Sequence, residues 1–321
     1  MIKKNIPGKS GRDYVLARAK NKLYNFMLDD GQIRGAFIHG THMIDEMRHN
    51  HELGILETLV LGHAYLGVSL MTANLKGQDH IAFKIECSGP VKGISVEANG
   101  FGEVRGYLKS NPIPIDKPLE SFDLSPFFGT GFLAVTRFPA YAKDPYVGHV
   151  KLSYGSIAKD LANYFLASEQ TPTAFNLSVH FDPAGNVTGA GGLFLQRMPG
   201  AELTHIDKLE ELIRELPSIG EALSREENPD DFIHHHFEPF SPDIIANRRI
   251  AFFCRCRKET IGQFIGKLPL ETLKDMAENG PFPVETHCHN CGTVYRFEKE
   301  EIETFFKEAV HTAQPGTGST K

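Results

Sequence analysis

The sequence predicts an α+β protein: an N-terminal mixed α/β body with largely antiparallel sheets, a helical linker, and a small C-terminal domain built on four cysteines. Three observations lead there. Short alternating apolar runs separated by turn signals occupy residues 80–181. Apolar residues at three- and four-residue spacing mark helices before and after them. Four of the five cysteines fall in the last quarter of the chain.

The 321 residues, 41% hydrophobic and 23% charged, suit one large core plus a second, smaller unit. A formal net charge of −6 does not build a general nucleic-acid surface, so no specific nucleic acid is expected as a partner. No run approaches the roughly 18–20 apolar residues of a bilayer span. No apolar stretch follows Lys3 and Lys4 as a secretory signal requires. The expected location is therefore cytoplasmic, without a membrane partner.

Taken in order, Thr41 to Ala73 carries Ile55, Leu56, Leu59, Val60, Tyr65, Leu66 and Leu70 at helical spacing. Gly54, Gly62 and Gly67 within it mark close packing or a junction between two helices. Strands follow: Ile81, Phe83 and Ile85 alternate with Ala82, Lys84 and Glu86, and Ile94 and Val96 with Ser95 and Glu97. Further strands are expected over 132–138, 147–154 and 175–181. Turns at Ser88-Gly89-Pro90, Asn99-Gly100 and Asp182-Pro183-Ala184-Gly185 separate them. Ile157, Leu161, Tyr164 and Phe165 stripe another helix. This body spans 1–202. A helical, partly metastable linker is expected over 203–247: an amphipathic helix Leu203–Leu216, with Leu209, Leu212, Ile213 and Leu216 on one side, then an acidic, His-rich, weakly periodic stretch. The cysteine domain is expected over 248–310 and a disordered tail over 311–321.

The cysteines form two clips, Cys254-Arg255-Cys256 and Cys288-His289-Asn290-Cys291, with 31 residues between them. Four thiolates complete the tetrahedral shell of one Zn2+ per chain and leave no open position for water, which argues for a structural rather than a catalytic ion. A unit of roughly 60 residues has a limited core, so the metal should contribute much of its folding energy. His287 and His289 flank Cys288 and offer mixed ligation, and the His234–His236 run offers adventitious metal binding. Oxidation would convert the thiolates into poor ligands, so a redox switch and a permanent staple are both open on this chemistry. Arg255, Arg257 and Lys258 either favour the thiolate forms or are solvated charges.

Two other functions compete. Arg248, Arg249, Arg255, Arg257 and Lys258 suggest a zinc-ribbon nucleic-acid module, and the CxxC pair suggests a thiol–disulfide oxidoreductase. No catalytic residue is assigned. Cys87, at a strand end, reads as a buried bystander. Ser168-Glu169-Gln170 lacks a base–nucleophile pair. Gly189, Gly191 and Gly192 form GxGG rather than GxGxxG and lack a βαβ context.

Four further segments stand in a fixed order ahead of the clips: GPVKGISVEANGFGEVRGYL (89–108), GTGFLAVTRF (129–138), ANYFLASEQTPTAF (162–175) and GAGGLFLQRMPGA (189–201). With the CxC and CxxC pairs, they make the chain resemble the heat-shock protein 33 family of redox-regulated holdase chaperones, over about residues 12–305. The resemblance implies an ATP-independent chaperone and not an enzyme. It implies zinc held by Cys254, Cys256, Cys288 and Cys291 in a reduced, inactive form. Oxidation would pair Cys288 with Cys291 and Cys254 with Cys256, release the zinc and unfold the linker. It further implies a homodimer when active, unfolding client proteins as partners, and later transfer of clients to ATP-dependent chaperones. The local physics suits a bistable element: the apolar face of Leu203–Leu216 is expected to dock when reduced and to become available to clients when oxidised. Glu169 and Arg105, polar members of the shared segments, are expected to help fix packing.

Overall fold

Strands that alternate and strands that do not are sorted into different sheets. The computed structural model describes residues 1–8, 11–115, 121, 123–141, 143–201, 209 and 211–313. They divide into two units: Lys4–Phe253, and Met1–Lys3 together with the chain from Cys254 onward.

In the larger unit, the alternating strands β3 (His80–Cys87), β4 (Gly93–Asn99), β5 (Glu103–Leu108), β6 (Gly131–Phe138) and β7 (Tyr146–Lys151) join β11 (Ala251–Phe252) in a sheet of order β11-β5-β4-β3-β6-β7. Their buried and exposed residues take turns, as a sheet with one wet face requires. β7 stops at Lys151, short of the expected Tyr154. The second sheet has the order β10-β1-β2-β9-β8, from β1 (Lys22–Leu28), β2 (Ile33–His39), β8 (Thr173–Phe181), β9 (Val187–Arg197) and β10 (Asp243–Arg249). Here β2 and β9 are buried at nearly every position, because both faces are covered. Neighbouring strands in both sheets are antiparallel, apart from β11 on β5.

Helices fill the space between the sheets. α1 (Gly11–Lys20) precedes β1, and the short α4 (Ser125–Phe128) precedes β6. The run Thr41–Ala73 is two helices, α2 (Thr41–His51) and α3 (Ile55–Met71), broken where Glu52 turns left-handed at φ 56. α3 packs on β2, β8 and β9 of one sheet and on β4 and β5 of the other. Its Gly62 and Gly67 let Val179 and Leu161 come to 3.2 and 2.7 Å of where a Cβ would stand. Contrary to the expectation of no such run, Ile55–Asn74 is long and apolar enough to cross a bilayer. Yet 89% of that window is buried in the protein, where it serves as the core helix. α5 (Ile157–Ser168) packs on β7 and β8.

Residues 202–208 and 210, within the expected linker helix, lie outside the described residues; 209 and 211–215 are helical. Two short helices follow, α6 (Ile219–Ser224) and α7 (Pro229–His236). They cover the other face of the β10-β1-β2-β9-β8 sheet. Leu209, Ile219, Leu223, Phe232, Ile233, Phe237 and Phe240 share one cluster with Phe26, Phe37, Leu193 and Leu195 of the strands, and Leu212, Ile213 and Leu216 pack against it. The weak periodicity of this stretch thus reflects helices of 6 and 8 residues, not a shortage of anchors. Residues 248–253, expected to open the cysteine domain, complete β10 and β11 of the larger unit.

The smaller unit holds α8 (Lys258–Ile265), α9 (Leu270–Asn279), the hairpin β12 (Val284–His287) and β13 (Val294–Phe297), and α10 (Lys299–Ala313). Its core is small: Ile265, Leu273, Ala277, Tyr295, Phe297 and Ile302. α10 runs three residues into the segment expected as a tail; 314–321 lie outside the described residues.

Candidate metal centre

The second clip is the turn of the β12–β13 hairpin. Cys288 N donates to Thr293 O at 2.9 Å, and the amides of Cys291 and Gly292 donate back to Cys288 O at 3.2 and 2.8 Å. Gly292 takes φ 67, a conformation that favours glycine, and this closes the loop with both thiols presented together. The first clip is the extended chain entering α8, with Arg257 at the N-cap position in the extended region.

The two clips meet. Cys254 Sγ lies 3.8 Å from Cys288 Sγ, and Cys256 Sγ lies 3.4 Å from Cys291 Sγ. All four sulfurs fall within 4.8 Å of one another. Tetrahedral Zn–S bonds of about 2.3 Å would put neighbouring sulfurs about 3.8 Å apart, so the cage has the size for such an ion. A disulfide needs about 2.05 Å, and all four are free thiols. Cys254 and Cys291 are buried, while Cys256 and Cys288 are half-buried, so the site is shielded yet reachable.

The electrostatics suit a cation. As bare thiols, Cys254 ionises first: hydrogen bonds from Cys288 and then Cys291 hold its thiolate and pull its pKa far down. The hydrogen bond to Cys254 raises Cys288 to about 11, and bonds to Cys254 and Cys288 raise Cys291 as well. Four sulfurs this close do not all ionise unless positive charge sits among them. Two polar neighbours that sequence reasoning did not single out support the cage. The Tyr295 hydroxyl stands 3.0 Å from Cys256 O and 3.2 Å from Cys256 Sγ. Thr293 Oγ1 stands 3.1 Å from Cys291 Sγ. Both residues lie just after the CxxC, on or beside β13, and that position is the signal that could have found them.

The flanking residues expected to contribute are placed as follows. His287 and His289 are exposed and outside the four-sulfur group. Arg255 and Arg257 are exposed, while Lys258 pairs with Glu301 at 2.7 Å and lies over the Phe297 ring. The guanidinium of Arg248 is taken up by the carbonyls of Thr72, Leu75 and Gly100. Lys258 and Arg248 are thus already engaged, which weakens the nucleic-acid reading. In the His234–His236 run, His234 Nδ1 contacts Asp230 O at 2.8 Å and burial lowers the pKa of His236. Cys87 ends β3, half-buried, with its pKa raised by burial. Glu169 pairs with Arg137 at 2.5 Å, and Arg105 pairs with Glu97 across β4 and β5 at 2.6 Å, both packing roles.

The GxGG run has a packing use. A Cβ on Gly189 would stand 1.8 Å from Gly220 O, and one on Gly191 would stand 2.5 Å from Leu223 Cδ1. These glycines let α6 sit directly on the backbone of β9. The signal was a glycine run inside a strand, which marks close approach of another backbone.

Comparisons with known proteins agree with this geometry. The family model described as Hsp33 protein matches residues 21–298. The "33 kDa chaperonin" of Desulforamulus reducens is 31% identical over 287 residues, covering 89% of this chain and 97% of the relative. That of Lachnoclostridium phytofermentans is 32% identical, covering 85% and 94%. The crystal structure of the 33 kDa chaperonin (heat shock protein 33 homologue) of Thermotoga maritima superposes with a TM-score of 0.81 at 31% identity, covering 91% of this chain and 99% of that one. The two clips, the sheet order of the larger unit and these likenesses place one conclusion beyond the fold alone: the chain belongs to the heat-shock protein 33 family of chaperones.

Proposed function

We propose that this chaperone is a redox-regulated, ATP-independent holdase whose sensor is the four-cysteine centre. The observation that carries the reading is the gathering of four free thiols within 4.8 Å on a unit with a small core. Cys254, Cys256, Cys288 and Cys291 would hold one Zn2+, which supplies the charge that keeps all four as thiolates and ties the clips together. An oxidant such as peroxide takes one electron from each of two thiolates; they join as a disulfide and the peroxide leaves as two hydroxides. The pairs are Cys288–Cys291 and Cys254–Cys256, each within one clip. Neither pair can then serve as a ligand set, and the unit loses its main source of stability.

The division of labour is drawn along the two units: a body from Lys4 that carries the linker over 203–247, and a switch made of Met1–Lys3 and the chain from Cys254. The linker helices are too short to persist alone. Undocking them would free the apolar side chains of Leu209, Ile219, Leu223 and Phe232, together with their seat on Phe26, Phe37, Leu193 and Leu195. That surface suits unfolding clients. A cytoplasmic homodimer that passes clients to ATP-dependent chaperones completes the proposal. It needs no catalytic residue.

The test follows metal release and suppression of client aggregation in one sample, before and after peroxide at mild heat, with a chelator control lacking oxidant. One zinc leaving as disulfides form, with protection that reductant reverses, supports the reading. Zinc that stays, or leaves with no gain in protection, reduces the centre to a staple.

A further inference from the structure

We infer that Met1–Lys3 is a latch on the metal centre that sets how readily the four cysteines release their cation. This rests on the metal-centre reading above. The tripeptide lies well ahead of the family-matched residues 21–298. It nevertheless belongs to the cysteine unit, whereas the chain from Lys4 belongs to the larger one.

Its contacts reach both clips. The Met1 nitrogen donates to Cys256 O at 2.9 Å, and the Cys254 amide donates to Met1 Sδ at 2.9 Å, so one residue spans the CxC pair. The Ile2 amide donates to Thr293 Oγ1 at 3.1 Å, and Ile2 O lies 3.1 Å from the same hydroxyl. That hydroxyl is the group 3.1 Å from Cys291 Sγ. A hydroxyl carries one hydrogen and two lone pairs. The Ile2 amide occupies a lone pair, which leaves the hydrogen to point at Ile2 O or at the Cys291 sulfur. When Cys291 is a cation-bound thiolate, donation to the sulfur is charge-assisted and wins. Thr293 is 3% exposed with Ile2 in place, so Ile2 rather than water holds its hydroxyl in the intact chain. Met1 thus fixes the backbone of one clip, and Ile2 aims a donor at a ligand of the other. Outer contacts of this kind change metal affinity by about 10- to 100-fold. Met1, Ile2 and Thr293 act through the cysteines and are positioning residues.

Four variants test the latch. One begins at Lys4, freed by protease from an N-terminal fusion; the others are Ile2→Pro, Thr293→Val and Thr293→Ser. The readouts are the rate at which reduced, zinc-loaded protein yields zinc to a chromophoric chelator, and the sulfur-to-metal charge-transfer band of the cobalt-substituted protein. The Lys4 start, Ile2→Pro and Thr293→Val should release zinc about 10- to 100-fold faster. Ile2→Pro and Thr293→Val should also shift the cobalt band, and Thr293→Ser should restore it. If the Lys4-start variant does not fold, the point substitutions carry the test. Release and spectra like the parent's in Ile2→Pro and Thr293→Val overturn the latch. A parent chain that takes up neither zinc nor cobalt at the clips overturns the metal reading beneath it.

Discussion

Gly189→Ala should switch the chaperone on without any oxidant, because it removes the seat of the linker and leaves the sensor alone. The new Cβ would stand 1.8 Å from Gly220 O and 2.8 Å from Ser224 N. Carbon-to-oxygen contact needs about 3.3 Å, so strand and helix must separate by roughly 1.5 Å. β9 is held on both sides, by β2 and β8, whereas α6 is 6 residues long. The helix yields. Its movement pulls the buried side chains of Ile219 and Leu223 from their cluster. Full burial of two such side chains stabilises by about 3–6 kcal/mol, and overpacking costs about 1–3 kcal/mol. A shift of about 3 kcal/mol is a factor of about 10² in the ratio of docked to undocked linker. The assay compares reduced, zinc-loaded Gly189→Ala with the parent for client protection, protease cleavage between 203 and 243, and zinc content. Protection and cleavage should rise while zinc stays at one per chain. Gly220→Ala should act more weakly, since its Cβ would meet the Ser178 hydroxyl at 2.7 Å, a side chain that can turn aside, and backbone only from 3.0 Å, at His180 N. A Gly189→Ala protein as silent and as protease-resistant as the parent would falsify the claim that docking of α6 holds the chaperone off. Activity that appears only with zinc loss would move the control back to the clips.

Three further outcomes are expected. Cys291→Ser removes a fully buried thiol of the proposed metal site, and chelator titration should show loss of a large part of the about 10–16 kcal/mol that such a site can supply, with exchange protection lost over 258–313. Arg248→Ala leaves the carbonyls of Thr72, Leu75 and Gly100 without their buried donor and should lower the urea stability of the reduced protein by about 2–4 kcal/mol; Arg248→Lys should recover only part of it, since an ammonium lacks the guanidinium fork. His39 should make stability pH-dependent: burial lowers its pKa from the ordinary 6.5 to about 4, so the unfolded chain binds more protons between these values. Stability is then full above pH 6.5 and falls by up to about 3 kcal/mol as the pH drops toward 4; a urea midpoint in His39→Gln as steep in pH as the parent's would assign the slope elsewhere.

What the sequence revealed of this fold depended on water. Strands β3, β4 and β6 keep one face wet, so Phe83 and Ile85 alternate with polar residues and could be read directly. β2 and β9 lie in a sheet covered on both sides, where IRGAFIH and VTGAGGLFLQR show no two-residue period. The cysteine spacing was legible because it reflects covalent reach rather than burial. Thr293 and Tyr295 were not, since an outer contact leaves no spacing rule. Arg248 read as surface charge because sequence alone cannot show that three carbonyls converge on it.

The linker carries the more instructive difference. Sparse apolar spacing over 218–243 suggested weak packing, yet Phe232, Ile233 and Phe237 have no exposed surface. The metastability proposed for the linker would then come from another source, which is length. α6 and α7 have 6 and 8 residues, fewer than the roughly 12–15 an isolated helix needs. Each is helical only while docked, and each docked side chain holds only while its helix persists. Contacts that depend on one another in this way are lost together. A stretch with strong anchors and no independent elements can therefore be firm when seated and collapse as a whole when one end is released, which is what a switch between a metal centre and a client surface requires.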